Sequence, residues 1–369
     1  MTANWHEVVN AAEIESPALL VFPDRIQENI RRMIAIAGGA ERLRPHMKTH
    51  KMPEVLRMQI EQGISRFKCA TIAEAEMTAA TGAEDVLLAY QPVGPNVDRF
   101  LELVARFPSV RFSCATDNPA SVGDLSDAAA RSSARLEVLV DLDVGQHRTG
   151  IPPDAHAAKL YRLITALPAL RPGGLHAYDG HIHDPDVAAR TINCEAAFAP
   201  VEVLRRKLEW EGLTVPRVVA GGTPTFPMHA RRGNVECSPG TCIFWDAGYG
   251  KKLPDLDFLP AALVLARVVS KPTPDRLCLD LGHKAVASEM PHPRVVFLNL
   301  SDVNAVAHNE EHLVVETSNA DAFKVGDCLY GIPWHICPTV ALHSEAVVVE
   351  NGKATQRWRI VARERKLTI

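Results

Sequence analysis

The sequence predicts an α/β protein, an N-terminal (β/α)8 barrel of the TIM type followed by a mostly β C-terminal domain. Three observations lead there. At 369 residues the chain is longer than one hydrophobic core usually grows, which suits a large barrel with a further module. Between residues 25 and 255, short apolar runs alternate with segments of helical period, and eight such units in roughly 200–250 residues fit a barrel better than an open sheet. Beyond Pro254 the texture changes to closely spaced strand-like runs.

The elements follow in chain order. Ala18-Leu19-Leu20-Val21-Phe22 reads as a strand within a lead-in of residues 1–24, expected to join the β domain. Asp24 is placed to cap a helix with apolar positions at Ile26, Ile30, Met33 and Ile34, ending at Gly38-Gly39. Runs near 42–47, 67–71, 85–90, 110–115, 136–142, 173–178, 217–221 and 234–238 are the barrel strands. Helical periodicity fills 53–62, 73–80, 97–105 and 184–211. The β domain, 256–369, has strand-like runs at 261–269, 276–281, 295–298, 312–317, 346–349 and 357–362.

Composition narrows the function. Hydrophobic residues make up 47% and charged residues 23%, the profile of a packed globular protein. A net charge of -4 provides no basic field for a nucleic-acid backbone or an anionic membrane, which leaves a small molecule as the expected partner. The N-terminus lacks a basic and then apolar leader, and no stretch reaches eighteen apolar residues, so a cytoplasmic protein is expected. The eight cysteines form no CxxC pair and read as thiols rather than disulfides.

In a TIM barrel the chemistry gathers at the C-terminal ends of the strands. The first strand ends in His46-Met47-Lys48-Thr49-His50-Lys51, a basic cluster in which Lys48 has the neighbours an imine-forming lysine needs to lose its proton. Taken alone, the run fits a solvated or anion-binding loop better, and its neighbours must decide. After the fifth strand, Arg148 stands in a glycine-bracketed loop where it could hold a phenolate or carboxylate, or pair with Asp141 or Asp143. The seventh and eighth strands end in Gly221-Gly222-Thr223-Pro224-Thr225 and Ser238-Pro239-Gly240-Thr241, where barrels commonly bind phosphate. Each is also an ordinary turn by itself. The sixth ends in Tyr178-Asp179-Gly180-His181-Ile182-His183, whose histidines suit acid/base work, metal ligation or a plain surface loop. In the β domain, His335-Ile336-Cys337 offers imidazole and thiolate on one side of an extended segment, a pairing that suits zinc or another borderline metal but also occurs as a packed histidine and a buried thiol.

Four segments together resemble one family. Arg44-Pro45-His46-Met47-Lys48-Thr49-His50-Lys51, Asp143-Val144-Gly145-Gln146-His147-Arg148-Thr149-Gly150, Lys271-Pro272-Thr273-Pro274-Asp275-Arg276 and His335-Ile336-Cys337-Pro338-Thr339 are similar to the D-threonine aldolase and D-serine dehydratase group, of the alanine-racemase-like fold. The resemblance runs over nearly the whole chain in the same order. It implies a barrel that binds pyridoxal 5′-phosphate, a divalent metal (manganese, zinc, magnesium or cobalt) beside it, and a homodimer. It implies Lys48 as the Schiff-base lysine, Arg148 near the phenolic oxygen and Tyr178 near the ring. Gly222, Thr223, Gly240 and Thr241 become the phosphate cradle, and His335 and Cys337 the metal ligands.

The implied substrate is a small 3-hydroxy D-amino acid. The first reading is aldol cleavage of D-threonine to glycine and acetaldehyde, with His181 or His183 taking the hydroxyl proton. The alternative is dehydration of D-serine or 3-hydroxyaspartate to a keto acid and ammonia, with Lys48 taking the Cα proton. Cys337 stands where the aldolases carry aspartate and matches the dehydratase branch; the segments around Tyr178 and Gly222 also depart from the aldolase pattern. Racemization, and a non-catalytic cofactor-binding role, are the remaining readings.

Overall fold

A computed structural model describes residues 4–369; the first three residues of the expected lead-in lie outside the described residues. The chain forms two compact units, both discontinuous in sequence. One takes the segment ending at Ile30, then Thr49–Val55 and Thr241–Arg363; the other takes Arg31–Lys48, Leu56–Gly240 and Glu364–Ile369. The units therefore interleave, where the sequence suggests single cuts after residues 24 and 255. Side-chain bonds give the reason. Asn29 donates to the carbonyls of Ile243 (3.2 Å) and Leu259 (2.8 Å), and Arg25 Nε donates to that of Pro260 (2.5 Å), holding the start of the first helix to residues 243–260. At the other end, the Thr368 N–H donates to Glu76 (3.1 Å) and Arg99 donates to the Ile369 carbonyl (2.8 Å), which ties the tail into the barrel unit.

The first helix spans Pro23–Ala37. Its proline suits the first helical position because its φ is already helical and it has no N–H to leave unpaired, so Asp24 lies in the first turn and is not the cap. Gly38, at φ +82°, ends it in the left-handed conformation that glycine adopts without strain.

The strands are β1 (Ala18–Val21), then β2 (Arg66–Cys69), β3 (Asp85–Leu88), β4 (Arg111–Thr116), β5 (Leu136–Leu142), β6 (Leu170–Ala177), β7 (Val218–Ala220) and β8 (Val235–Cys237). From β2 to β8 each strand pairs in parallel with the next, with helical crossovers between. The first of the eight expected barrel strands, near 42–47, is present as two parallel bridges, Leu43 with Cys237 and His46 with Lys68. Arg44 N–H donates to the Cys237 carbonyl and Met47 N–H to that of Lys68, both at 2.8 Å, so this short segment lies between β8 and β2 and closes the ring. Pro45, which has no N–H to give, keeps it from forming a full ladder.

Inside the barrel unit, Leu87, Leu139 and Val219 pack together. A second buried group is charged. Arg44, fully buried, pairs with Asp85 (2.7 Å) and Glu236 (2.6 Å), while Arg217 pairs with Asp85 (2.9 Å) and Glu137.

The other unit is built on β9 (Ala262–Thr273), β10 (Arg276–Leu279), β11 (Val295–Phe297), β12 (Asn304–His308), β13 (Leu313–Glu316), β14 (Cys328–Pro333), β15 (Glu345–Glu350) and β16 (Lys353–Arg359). Its sheet runs β12-β13-β10-β9-β1-β15-β16, with β14 joining β9 to β11; β1 pairs antiparallel with β9 and parallel with β15. Side chains along β9 alternate between two cores, Val264, Ala266 and Val268 on one and Leu263 and Leu265 on the other, as the two-residue period of a strand requires.

Candidate active site

At the strand ends of the barrel unit, three cationic side chains surround one ring. The Tyr178 ring, directly after β6, has Lys48 Nζ 5.8 Å, Lys68 Nζ 5.3 Å and Arg148 Cζ 5.1 Å from its centroid. Lys48 ends the strand-closing segment and is partly buried; its N–H donates to His46 Nδ1 (3.2 Å). Arg148 is exposed and pairs with neither aspartate considered for it. Asp141 accepts from His176 (2.7 Å), and Asp143 takes the His147 ring (2.8 Å) together with two loop N–H groups.

The rest of the basic run does not converge as its residue types suggest. His50 Nδ1 accepts from the N–H of Met52 (3.1 Å), so that ring is held against its own backbone, and Lys51 Nζ donates to the Ala362 carbonyl (3.3 Å). Burial pushes His50 down to about 3, and it is a neutral packing group. The cation beside Lys48 is instead Lys68, which the sequence conceals inside the apolar run of β2. Lys68 is 2% exposed, and burial first, then the charge of Lys48, pull its amine down to about 7.

This has a measurable sign. Between about 7 and the ordinary lysine value of 10.5 the unfolded chain holds a proton that the folded chain lacks, so stability rises with pH across that window, with a limiting slope of about 1.4 kcal/mol per pH unit. Lys68→Met should therefore stabilise the protein most at pH 7 and below, the gain shrinking toward pH 10. Denaturant midpoints at pH 6.5 and 9.5 measure it; equal gains at both would contradict the assignment.

The turn after β7 is shaped by glycine. Gly221 has φ +79°, and a Cβ on Gly222 would lie 3.0 Å from the Tyr178 ring, so small residues are needed where the turn passes that side chain. Thr223 is buried, and its Oγ1 accepts from the Gly240 N–H (3.2 Å), joining the two turns read as a phosphate cradle. Gly222 N–H is directed at Thr225 Oγ1 (3.3 Å), which in turn donates to Asp179 (2.8 Å). His181 and His183 are both exposed. His181 lies against the Arg148 loop, where a Cβ on Gly145 would be 2.9 Å from its Nε2.

Asp179, Cys194 and His229 form a buried group whose ligand atoms lie within 4.8 Å of one another, close enough to hold a metal ion. No sequence spacing marks the three as ligands, because they come from three separated segments. His229 Nε2 is 2.8 Å from Asp179, and Arg232 Nη1 is 3.1 Å from His229 Nδ1. A guanidinium can only donate, so Nδ1 is the acceptor and Nε2 carries the proton toward Asp179. In this hydrogen-bonded form the group holds the Tyr178-Asp179 backbone against the turn after β7.

In the β unit, His335 and Cys337 do not share an extended segment. His335 is extended, at φ -131° and ψ 104°, but caps a helix, Ile336–Leu342, so Cys337 lies in its first turn. The two side chains are within hydrogen-bonding reach of each other. Burial would lower the His335 imidazolium, but that bond and the Cys337 charge, with the Glu289 carboxylate, hold it up at about 9. His335 Nδ1 is 2.5 Å from Glu289 Oε1, and Cys337 Sγ is 3.2 Å from Thr49 Oγ1 and 3.6 Å from Thr241 Oγ1. Thr241, read from the sequence as part of the phosphate cradle, has its hydroxyl within hydrogen-bonding reach of Cys337.

Residues 21–247 match the family model of the alanine racemase N-terminal domain, and residues 261–349 match a serine dehydratase domain. The chain belongs to the alanine racemase N-terminal domain family. Within it, D-threonine aldolase of an Arthrobacter species is 32% identical over 95% of the chain and 93% of its own length. The 3-hydroxy-D-aspartate aldolase of Paracoccus denitrificans (strain Pd 1222) is 31% identical over 96% and 94%. A crystal structure of D-threonine aldolase from Filomicrobium marinum superposes with a TM-score of 0.88 at 27% identity, covering 96% of this chain and 97% of that one. Dehydratases of D-threo-3-hydroxyaspartate and D-serine are also relatives. The fold is thus alanine racemase-like, and the chain is an enzyme of the pyridoxal-phosphate-dependent lyases in this family. Among the described residues no helix is long and apolar enough to cross a membrane.

Proposed function

We propose that the chain cleaves a 3-hydroxy D-amino acid by a retro-aldol reaction, with D-threonine as the first substrate and glycine and acetaldehyde as products. The observation that carries this reading is the convergence of Lys48, Lys68 and Arg148 on the Tyr178 ring beside the Gly221–Thr223 turn. An aldehyde cofactor with a phenolate and a phosphate needs an amine, a cation and N–H donors; Lys48 and Arg148 support the first two, and the Gly222 and Gly240 N–H groups, which donate to the Thr225 and Thr223 hydroxyls, would have to turn to a phosphate. Lys48 would hold the cofactor's aldehyde carbon, Arg148 would face its phenolic oxygen, and Gly222, Thr223, Gly240 and Thr241 would hold its phosphate. His335 and Cys337 would hold a divalent metal, a borderline ion matching one nitrogen and one sulfur donor.

When bound, the cofactor supplies an electron sink for Cα and the metal lowers the pKa of a substrate hydroxyl. The protein's own work is orientation and proton transfer. Tyr178 and the Gly222 turn limit how a flat ring can sit, and Arg148, free of the nearby aspartates, keeps its fork for an anionic oxygen. His181 and His183 are the imidazoles assigned to remove the 3-hydroxyl proton, which retro-aldol cleavage requires.

Dehydration is the second reading, and Cys337 with the serine dehydratase match over residues 261–349 favours it. There Lys48 Nζ, released from the cofactor, would take the Cα proton. Incubating the holoprotein and a divalent metal with D-threonine, D-3-hydroxyaspartate and D-serine separates the two. Glycine with an aldehyde is the expected result. Keto acid with ammonia makes the chain a dehydratase, and neither product from any of the three removes 3-hydroxy D-amino acids as its substrates.

A further inference from the structure

We propose that Glu289 is a positioning residue for metal binding, fixing the His335 ring so that Nε2 is the ligand nitrogen, and that the Thr49 and Thr241 hydroxyls steady the Cys337 thiolate as the second ligand. The proposal rests on the reading of His335 and Cys337 as the metal pair.

A neutral imidazole carries one proton, and the partner of each nitrogen decides where it sits. His335 Nδ1 lies 2.5 Å from Glu289 Oε1. An ionised carboxylate only accepts, so Nδ1 carries a proton whatever the charge of the ring, and Nε2 is the nitrogen left to bind a metal in exchange for its own proton. The His229 group shows the opposite arrangement, its Nδ1 accepting from Arg232 and its Nε2 proton facing Asp179. The two groups thus fix a proton on opposite ring nitrogens, Nδ1 in His335 and Nε2 in His229, and only the His335 ring turns Nε2 away from its carboxylate partner.

The surroundings make that orientation rigid. The Ile336 N–H donates to Asp246 Oδ2 (3.1 Å), and Thr339 Oγ1 donates to the His335 carbonyl (2.8 Å), so the His335–Ile336 peptide is held through both of its polar groups. Thr339 Oγ1 also accepts from the Ala287 N–H (3.1 Å), tying the loop that carries Glu289 to the same helix. Two hydroxyls lie 3.2 and 3.6 Å from Cys337 Sγ, within reach to donate to a ligand sulfur and fix its direction. Glu289 is nearly half exposed, so its replacement leaves no buried void.

The test is cobalt(II) affinity, measured on purified full-length protein by competition with a chromophoric chelator, together with the cobalt–thiolate absorption band. Glu289→Ala should weaken cobalt binding about 10- to 100-fold. Glu289→Gln, which keeps an acceptor oxygen, should recover part of the loss, and Thr241→Val should shift the thiolate band with a smaller change in affinity. His335→Ala should lose the ion almost completely. Parent-like affinity in Glu289→Ala alongside loss in His335→Ala would overturn the role of Glu289 while leaving the metal pair standing. Parent-like affinity in both His335→Ala and Cys337→Ala would overturn the metal pair and this proposal with it.

Discussion

Lys48→Ala should abolish the visible absorbance of bound pyridoxal phosphate and lower turnover by at least about a thousandfold, since a covalent anchor acts as a unit with the groups around it. The backbone of Lys48 is held by His46, and its side chain, partly buried, reaches the Tyr178 ring from the end of the closing segment. Alanine removes the only part of the residue that reaches the site. Lys68 offers a second amine near the same ring, so a substitute anchor is conceivable chemically. Its 2% exposure and its place within β2 argue against it, because a carbonyl carbon has to approach the amine from outside. Absorbance titration with added pyridoxal phosphate checks the anchor, and product assays check turnover. A Lys48→Ala protein that keeps either the band or the activity would remove Lys48 from its role.

Arg44→Met is the second large effect, on stability rather than chemistry. Arg44 is wholly buried with two carboxylates, and methionine would leave Asp85 and Glu236 short of their main cation. Breaking one partner out of a buried network costs about 3–5 kcal/mol. Urea midpoints should show a loss of that size. The pH dependence should change as well. Burial would raise the Asp85 carboxyl, but the Arg44 charge and hydrogen bond, with Arg217, hold it below its ordinary value. Its contribution is therefore present above the ordinary aspartate range and is lost as pH falls through the lower folded value. Arg44→Met should shift that acid transition upward; an unchanged transition would mean that Arg217 and Arg111 sustain Asp85 without it.

What could be read ahead of the structure follows from where the physical signal is local. The barrel strands are apolar, β-branched runs of nearly constant spacing, and Gly38 and Gly212 mark helix ends by their residue type, both at positive φ. The sequence does not mark strand β14, because Gly331 and Pro333 look like breakers. In the fold Gly331 makes room instead, since a Cβ there would meet the side chains of Val295 and Phe297, which β11 lays across it. The half-exposed β12 lacked an apolar alternation to reveal it. The helix after His335 was hidden by its length of seven residues.

In the candidate site, the sequence brings Lys48, Arg148, Tyr178 and the glycine turns to one end of the barrel because each lies in the segment that follows a strand-like run. Lys68 is not legible there, because one charged residue within an apolar run carries no sign of which way it faces. The pairs Glu289 with His335 and Asp179 with His229 are separated by 46 and 50 residues, and no periodicity connects them.

The interleaving of the two units bears on how this gene can be recombined. Each unit draws on three stretches of chain, and one border falls at the peptide bond between Lys48 and Thr49. A single crossover with a relative cannot exchange either unit whole. A chimera joined at residue 255 would carry foreign partners for Asn29 and Arg25 on one side and lose the barrel's own closing tail on the other. Productive shuffling in such a chain needs several joints moved together, so its two units are expected to descend as one inheritance rather than as exchangeable parts.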